Sequence, residues 1–289
     1  MQNSTHSEKS KRSFLHCFLF SVHCSFRKYL ALARLSWSNG LVYRLNFLMW
    51  RVRLILGLLT AYFLWKAVFT NQQTMFGYSE SAMITYILVA SLLQSLILAT
   101  RSIDLAGIIN SGDLSNILIK PISNFWYWLF RDIADKILNL VFASAELTLL
   151  FILLRPPIVL PPLSHLILLI LLILPLSTFL YYLINYLFGL LGFWTPEVWA
   201  PRFLLFVILQ FVAGSLFPLD VLPLSIQEIV SFTPFPYLIF FPTQLYLGKL
   251  AEPQIITGIM ASLFWIGILT FIVKITWTKG LKAYGAEGK

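Results

Sequence analysis

LILLILLILPLSTFLYYLINYLFGL, residues 166–190, is twenty-five consecutive positions without a charged side chain. A bilayer core needs about 20 apolar residues per helix and leaves no water to satisfy an unpaired backbone group, so a run of this kind reads as a spanning helix. Pro175 falls inside it as a kink that neighbouring helices tolerate. The rest of the chain agrees. Of its 289 residues 58% are hydrophobic and 11% charged, where a soluble domain carries about 25% charged residues.

Five more apolar runs, about 54–69, 81–100, 137–154, 203–217 and 255–273, bring the expectation to an all-α integral membrane fold with six transmembrane helices. No polar stretch is long enough for a separate soluble domain. Residues 26–289 therefore read as a single transmembrane domain after a cytoplasmic tail, 1–25. Lys and Arg are retained in the cytoplasm. With both termini on that side, eighteen of the basic residues are cytoplasmic and only Lys66, Arg155 and Lys249 lie opposite. The net charge of +9 expresses this asymmetry and attraction to anionic membrane lipid, and gives no reason to invoke nucleic acid.

The N-terminal KRSFLHCFLFSVHCSF has a basic start and a short apolar stretch, as a signal peptide does. His16 and His23 break the stretch, no small-x-small pattern follows, and Arg27, Lys28 and Arg34 would have to cross the membrane. An interfacial helix over about 26–43, apolar residues interleaved with arginine and lysine, is the better reading. His16-Cys17 and His23-Cys24 stand seven residues apart. On one helix that is about 10 Å, too far for one tetrahedral zinc, so no metal site is assigned. Two cytoplasmic cysteines imply reduced thiols.

Between the second and third runs lies a polar loop, 101–136. Arg101 to Asn110 reads as a continuation of the second span into the cytosol. Gly112 is placed to end that helix, Asp113 to cap a short one, and Pro121 to stop it. Leu114, Ile117 and Leu118 give the short helix an apolar face on which a soluble partner can dock.

The other unusual segment is AGSLFPLDVLPLSIQEIVSFTPFPYLIFFPTQLYLG, 213–248. It is too apolar for an exposed loop, yet Pro218, Pro223, Pro234, Pro236 and Pro242 forbid an uninterrupted spanning helix. A segment that dips into the outer leaflet and returns satisfies both constraints.

Three motifs carry a resemblance to a known family. Gly112, Asp113, Leu114, Leu118, Lys120 and Pro121 follow the second span; Leu-Gly-Phe-Trp occupies 191–194; the proline-rich outer segment includes Phe217-Pro218-Leu219 and Pro234-Phe235-Pro236. In this order and placement the chain resembles the membrane permeases of type-two ABC exporters, in the six-span bacterial branch without a fused ATPase domain. The resemblance implies an inner-membrane permease moving an amphipathic or lipid-like substrate outward. It implies that the short helix at 112–121, with the interfacial helix, couples to a separate ABC ATPase subunit in two copies. A second permease, identical or related, completes the pathway. Phe217, Pro218, Leu219, Pro223, Pro234, Phe235 and Pro236 would form an outer gate. The chain has no Gly-x-x-x-x-Gly-Lys-Ser/Thr phosphate cradle, so the resemblance puts ATP and magnesium on the partner and no cofactor here.

Ionisable and amide groups inside spans are functional candidates by default. Glu146, with no basic residue at i±3 or i±4, is the clearest; Asn185 and Gln210 are polar residues it can meet in the bundle. Without a catalytic set of nucleophile, base and acid, the chain does not read as an embedded enzyme, and no catalytic residue is assigned. A gradient-driven secondary transporter or a channel is the competing class. It favours inverted repeats and several intramembrane charges, where this sequence offers no clear repeat and Glu146 nearly alone.

Overall fold

The computed structural model describes residues 44–285, so the tail, the interfacial helix and the two His-Cys doublets lie outside the described residues. Among the described residues eleven α-helices follow one another, with a two-stranded hairpin after the first. α1 (Arg44–Val68) leads through β1 (Thr74–Met75) and β2 (Tyr78–Ser79) into α2 (Glu80–Ile97). The Ser79 hydroxyl accepts from the Ala82 N–H at 3.3 Å and Glu80 occupies the first turn, which fixes where α2 begins. α3 (Leu105–Asn110) and α4 (Leu114–Leu118) form an elbow before α5 (Asn124–Leu154). α6 (Leu163–Leu168) runs through a π turn, Leu169–Ile173, into α7 (Leu174–Leu190). α8 (Trp199–Val212), α9 (Leu224–Ser231), α10 (Phe240–Tyr246) and α11 (Glu252–Ala283) complete the chain.

Helical stretches containing the expected spans one, three, four and six are present, and α2 covers span two as far as Ile97, three residues short of the expected end; all five are long and apolar enough to cross a membrane. The chain is a multi-pass membrane protein, and its described residues are mostly helix. The π turn sits just ahead of Pro175, whose ring lacks an N–H, and widening the turn accommodates the missing bond. Span five departs from expectation. It was placed at 203–217, but α8 has 14 residues and stops at Val212. Gly214 adopts φ +78°, and a Cβ there would lie 2.7 Å from the Tyr86 hydroxyl and 2.8 Å from Phe240 Cβ. Glycine therefore turns the chain where a helix would continue, and the Phe240 N–H takes the Ala213 carbonyl at 2.9 Å.

α7 is the central helix. Tyr182 and Tyr186 are fully buried on it beside Leu180, Leu183 and Leu190, and its most extensive partner is α11. Around the helices Leu56, Phe63, Val141, Ile152, Leu171, Phe264 and Phe271 are exposed, as a lipid-facing surface requires.

Candidate functional site

α2 does not run on through Arg101. It ends at Ile97, and a buried clamp from α5 explains the stop. Lys136 Nζ donates to the carbonyls of Leu96, Ile97 (2.7 Å) and Ala99, placing a cation on the helix C-terminus. One turn away, the Asp132 carboxylate accepts from the Thr100 hydroxyl (2.8 Å) and from the backbone N–H groups of Arg101 (2.5 Å) and Ser102 (3.0 Å). Asp132 is 0% and Lys136 4% exposed. Lys136 ends the polar loop 101–136 in the sequence, yet in the fold it is inside, holding the chain as it leaves α2.

That exit sets the elbow. Gly112, at φ +81°, separates α3 from α4 as its placement predicts. Asp113 stands at the start of α4, but its carboxylate is engaged by the Ser111 hydroxyl (2.8 Å) and the Asn116 amide (3.3 Å), with no hydrogen bond to the backbone of the first turn. The expected apolar face divides. Leu114 and Ile117 are buried in the bundle, whereas Leu118 is 43% and Ile119 83% exposed, next to exposed Lys120 and Pro121. Leu114 therefore secures the elbow, and the outward surface begins at Leu118. A five-residue helix has room for one inward face, and the bundle takes it.

The 191–194 motif acquires a physical role. A Cβ on Gly192 would lie 2.9 Å from both the Cα and the carbonyl oxygen of Ala106, so the end of α7 touches the backbone of α3. Phe193, 1% exposed, packs edge-on against Trp277 and Tyr284 of the C-terminal region. The Tyr284 hydroxyl donates to the Gly112 carbonyl at 2.6 Å and accepts from the Ser115 N–H at 3.3 Å. No motif pointed to Tyr284, because its hydrogen bonds reach more than 160 residues away in sequence.

Above the elbow a cavity of about 760 Å³ opens between α1, α2, α5, α7 and α8. Glu146, Asn185 and Gln210 all line it, so the structure brings the three intramembrane polar candidates together around one space. They do not bond to one another. Glu146 is paired with Arg51 of α1, Oε1 to Nε 3.2 Å; Gln210 approaches the Gln94 amide at 3.5 Å, and Asn185 donates to the Tyr181 carbonyl. Arg51, just ahead of the first apolar run, is 4% exposed and also donates to Ser95 Oγ and the Asn139 carbonyl. Charged rim residues of the cavity are Arg53, Arg101, Asp135 and Arg202, and Leu58, Ile87, Leu205 and Leu209 are among its apolar walls.

At the other end of the bundle the proline-rich segment folds as short helices over the start of α2. Tyr78 donates to Asp220 Oδ2 at 2.6 Å, and the Gln244 amide donates to that same carboxylate oxygen and to the Tyr78 hydroxyl. Burial first, and then the Asp220 carboxylate, raises the Tyr78 phenol well above its ordinary range, so it remains a donor. Lys249 covers the Tyr78 ring at 3.0 Å and donates to the Gly77 carbonyl. Of the expected gate residues, Pro218, Leu219 and Pro236 are buried, Phe217, Pro234 and Phe235 are half-buried, and Pro223 is exposed. Tyr78→Phe, which leaves Asp220 and Gln244 without their shared hydroxyl, is expected to cost about 1–3 kcal/mol. Faster protease cleavage within 214–248 in the folded protein would register the loosening; an unchanged rate would deny that Tyr78 latches this segment.

A helical bundle enclosing an interhelical cavity that runs from a charged rim to apolar walls has the architecture of a membrane transport component. A family model described as ABC-2 family transporter protein matches residues 55–288, and the chain belongs to that family. No curated protein matches it.

Proposed function

We propose that this chain is the permease subunit of an ATP-driven exporter in the bacterial inner membrane, with both termini cytoplasmic. It moves an amphipathic or lipid-like substrate outward by alternating access, powered by two copies of a separate ATPase subunit and completed by a second permease. One observation carries the reading: the elbow that presents Leu118, Ile119 and Lys120 is bound through Gly192, Phe193 and Tyr284 to helices whose neighbours line the polar cavity. Force applied to the elbow by an ATPase closing on ATP thus has a packed route to the cavity. The outer segment, held by Tyr78, Asp220 and Gln244, then acts as the exit gate.

The test is gentle extraction of the tagged protein from its native membrane and mass spectrometry of what stays bound. A stoichiometric ATPase subunit is expected. Ile119→Asp changes a side chain that is 83% exposed, so it should leave the thermal midpoint unchanged while reducing ATPase recovery about tenfold or more. Full recovery with that variant would remove the elbow from the docking surface, and a clean complex without any ATPase would remove the exporter reading.

A further inference from the structure

The charge around the cavity is unbalanced. Arg53, Arg101 and Arg202 line it against Asp135 and Glu146. Arg101 is spent on Asp135, its Nη2 2.9 Å from Oδ1, and Glu146 is met by Arg51 from behind the wall. Among the described residues around the cavity, counting Arg51, four guanidinium groups stand near two carboxylates. Asp104, whose field reaches Arg202, leaves the group positive even when added; Asp132 and Lys136 cancel each other below.

Arg202 is the most telling of these residues. Among the described residues its guanidinium bonds to the backbone carbonyls of Ser102 and Ile103, which carry no charge. Its Nε is buried with no hydrogen-bond partner. No carboxylate touches this guanidinium among the described residues, so an anion that reaches its accessible edge from the cavity would supply the missing charge-assisted hydrogen bonds. The cavity that Arg202 borders is deep. From Asp135 to Glu146 is eleven residues of α5, about 16 Å, and its walls between include Leu58, Ile87, Leu147, Leu205 and Leu209. Its volume of about 760 Å³ is that of an organic ligand site. A bare inorganic anion would leave those apolar walls without contact.

We infer that the cavity takes an anionic amphiphile, its phosphate or carboxylate head at Arg202 and Arg53 and its hydrocarbon part along the wall between α1 and α8. This deepens the transport reading, resting on it only for placing the cavity on the substrate's route. The arginine rim would select against zwitterionic and cationic lipids, since a choline or amine head brings a positive charge to a positive rim.

The experiment is equilibrium binding to the full-length purified protein in an uncharged detergent. The probes are phosphatidylglycerol and phosphatidylcholine carrying the same fluorescent acyl chain. Phosphatidylglycerol should bind at least about tenfold tighter, and millimolar inorganic phosphate should not displace it. Arg202→Gln should bring the two lipids to within about threefold, with Arg202→Lys retaining most of the preference. Gly57, beside the cavity, has nothing within 4 Å of a would-be Cβ, so Gly57→Phe introduces a ring into open space and should weaken both lipids. If the Arg202→Gln protein aggregates, the lysine and Gly57→Phe variants decide. Equal binding of the two lipids by the wild-type chain, an Arg202→Gln protein with its preference intact, or displacement by phosphate alone would overturn the inference. Binding needs no ATPase, so lipid selectivity without a co-purifying ATPase would defeat the exporter reading alone, and an ATPase complex without selectivity would defeat this inference alone.

Discussion

Asp132→Ala is expected to cost about 3–5 kcal/mol of stability, the largest loss of any single polar substitution in the bundle. The carboxylate is fully buried and takes three donors, from Thr100, Arg101 and Ser102. Removing it strands those donors and leaves the buried Lys136 ammonium without its nearest negative charge. A fall of roughly 10 °C in the thermal midpoint, followed in detergent by loss of the monodisperse peak, is the expected reading. Asp132→Asn keeps the volume and one acceptor and should lose about half as much. A midpoint unmoved by Asp132→Ala would mean that the turn after α2 is held by something other than this clamp.

Gly192→Val should be the most damaging change that touches no polar group. Its Cβ would press on the backbone of Ala106 at 2.9 Å, and backbone, unlike the tip of a side chain, has nowhere to rotate. Either α3 moves or the end of α7 does, at about 1–3 kcal/mol. The functional loss should exceed the loss of stability, because the displaced part is the elbow itself. ATPase recovery and ATP-driven transport should drop about tenfold or more, beside a midpoint lowered by only a few degrees. Gly107→Ala on α3, where an added Cβ meets nothing within 4 Å, is the matched control. Identical behaviour of the two variants would show that the contact between α7 and α3 does not position the elbow.

The spans and the elbow were legible because their signals are local. Uncharged runs, a glycine at the turn and prolines in the outer segment each act within a few residues. What escaped reading depends on distance. Glu146 finds Arg51, ninety-five positions earlier, so a search of its own helix turn could not locate the partner. Lys136 stands at the edge of an apolar run, where a lysine usually faces water; here the open carbonyls of another helix satisfy it better. Leu114 and Leu118 look equivalent in a five-residue helix, and only the packing of α4 against the bundle assigns one inward and one outward. The short α8 was overestimated because residues 213–217 remain apolar after Gly214 has turned the chain.

α11 joins the two regions that the sequence singled out. Near its start, Gly258 lies against Phe241 of the outer segment; near its end, Gly280 lies against Phe193, and Tyr284 just beyond holds Gly112. It has 32 residues, about 48 Å of helix, with proline only in its first turn. Such a rod bends little and shortens not at all. Under the transport reading proposed above, axial travel at its Gly280 end reaches its Gly258 end in the same stroke, so the timing of the elbow and the proposed gate is set by a length instead of by a chain of separate signals.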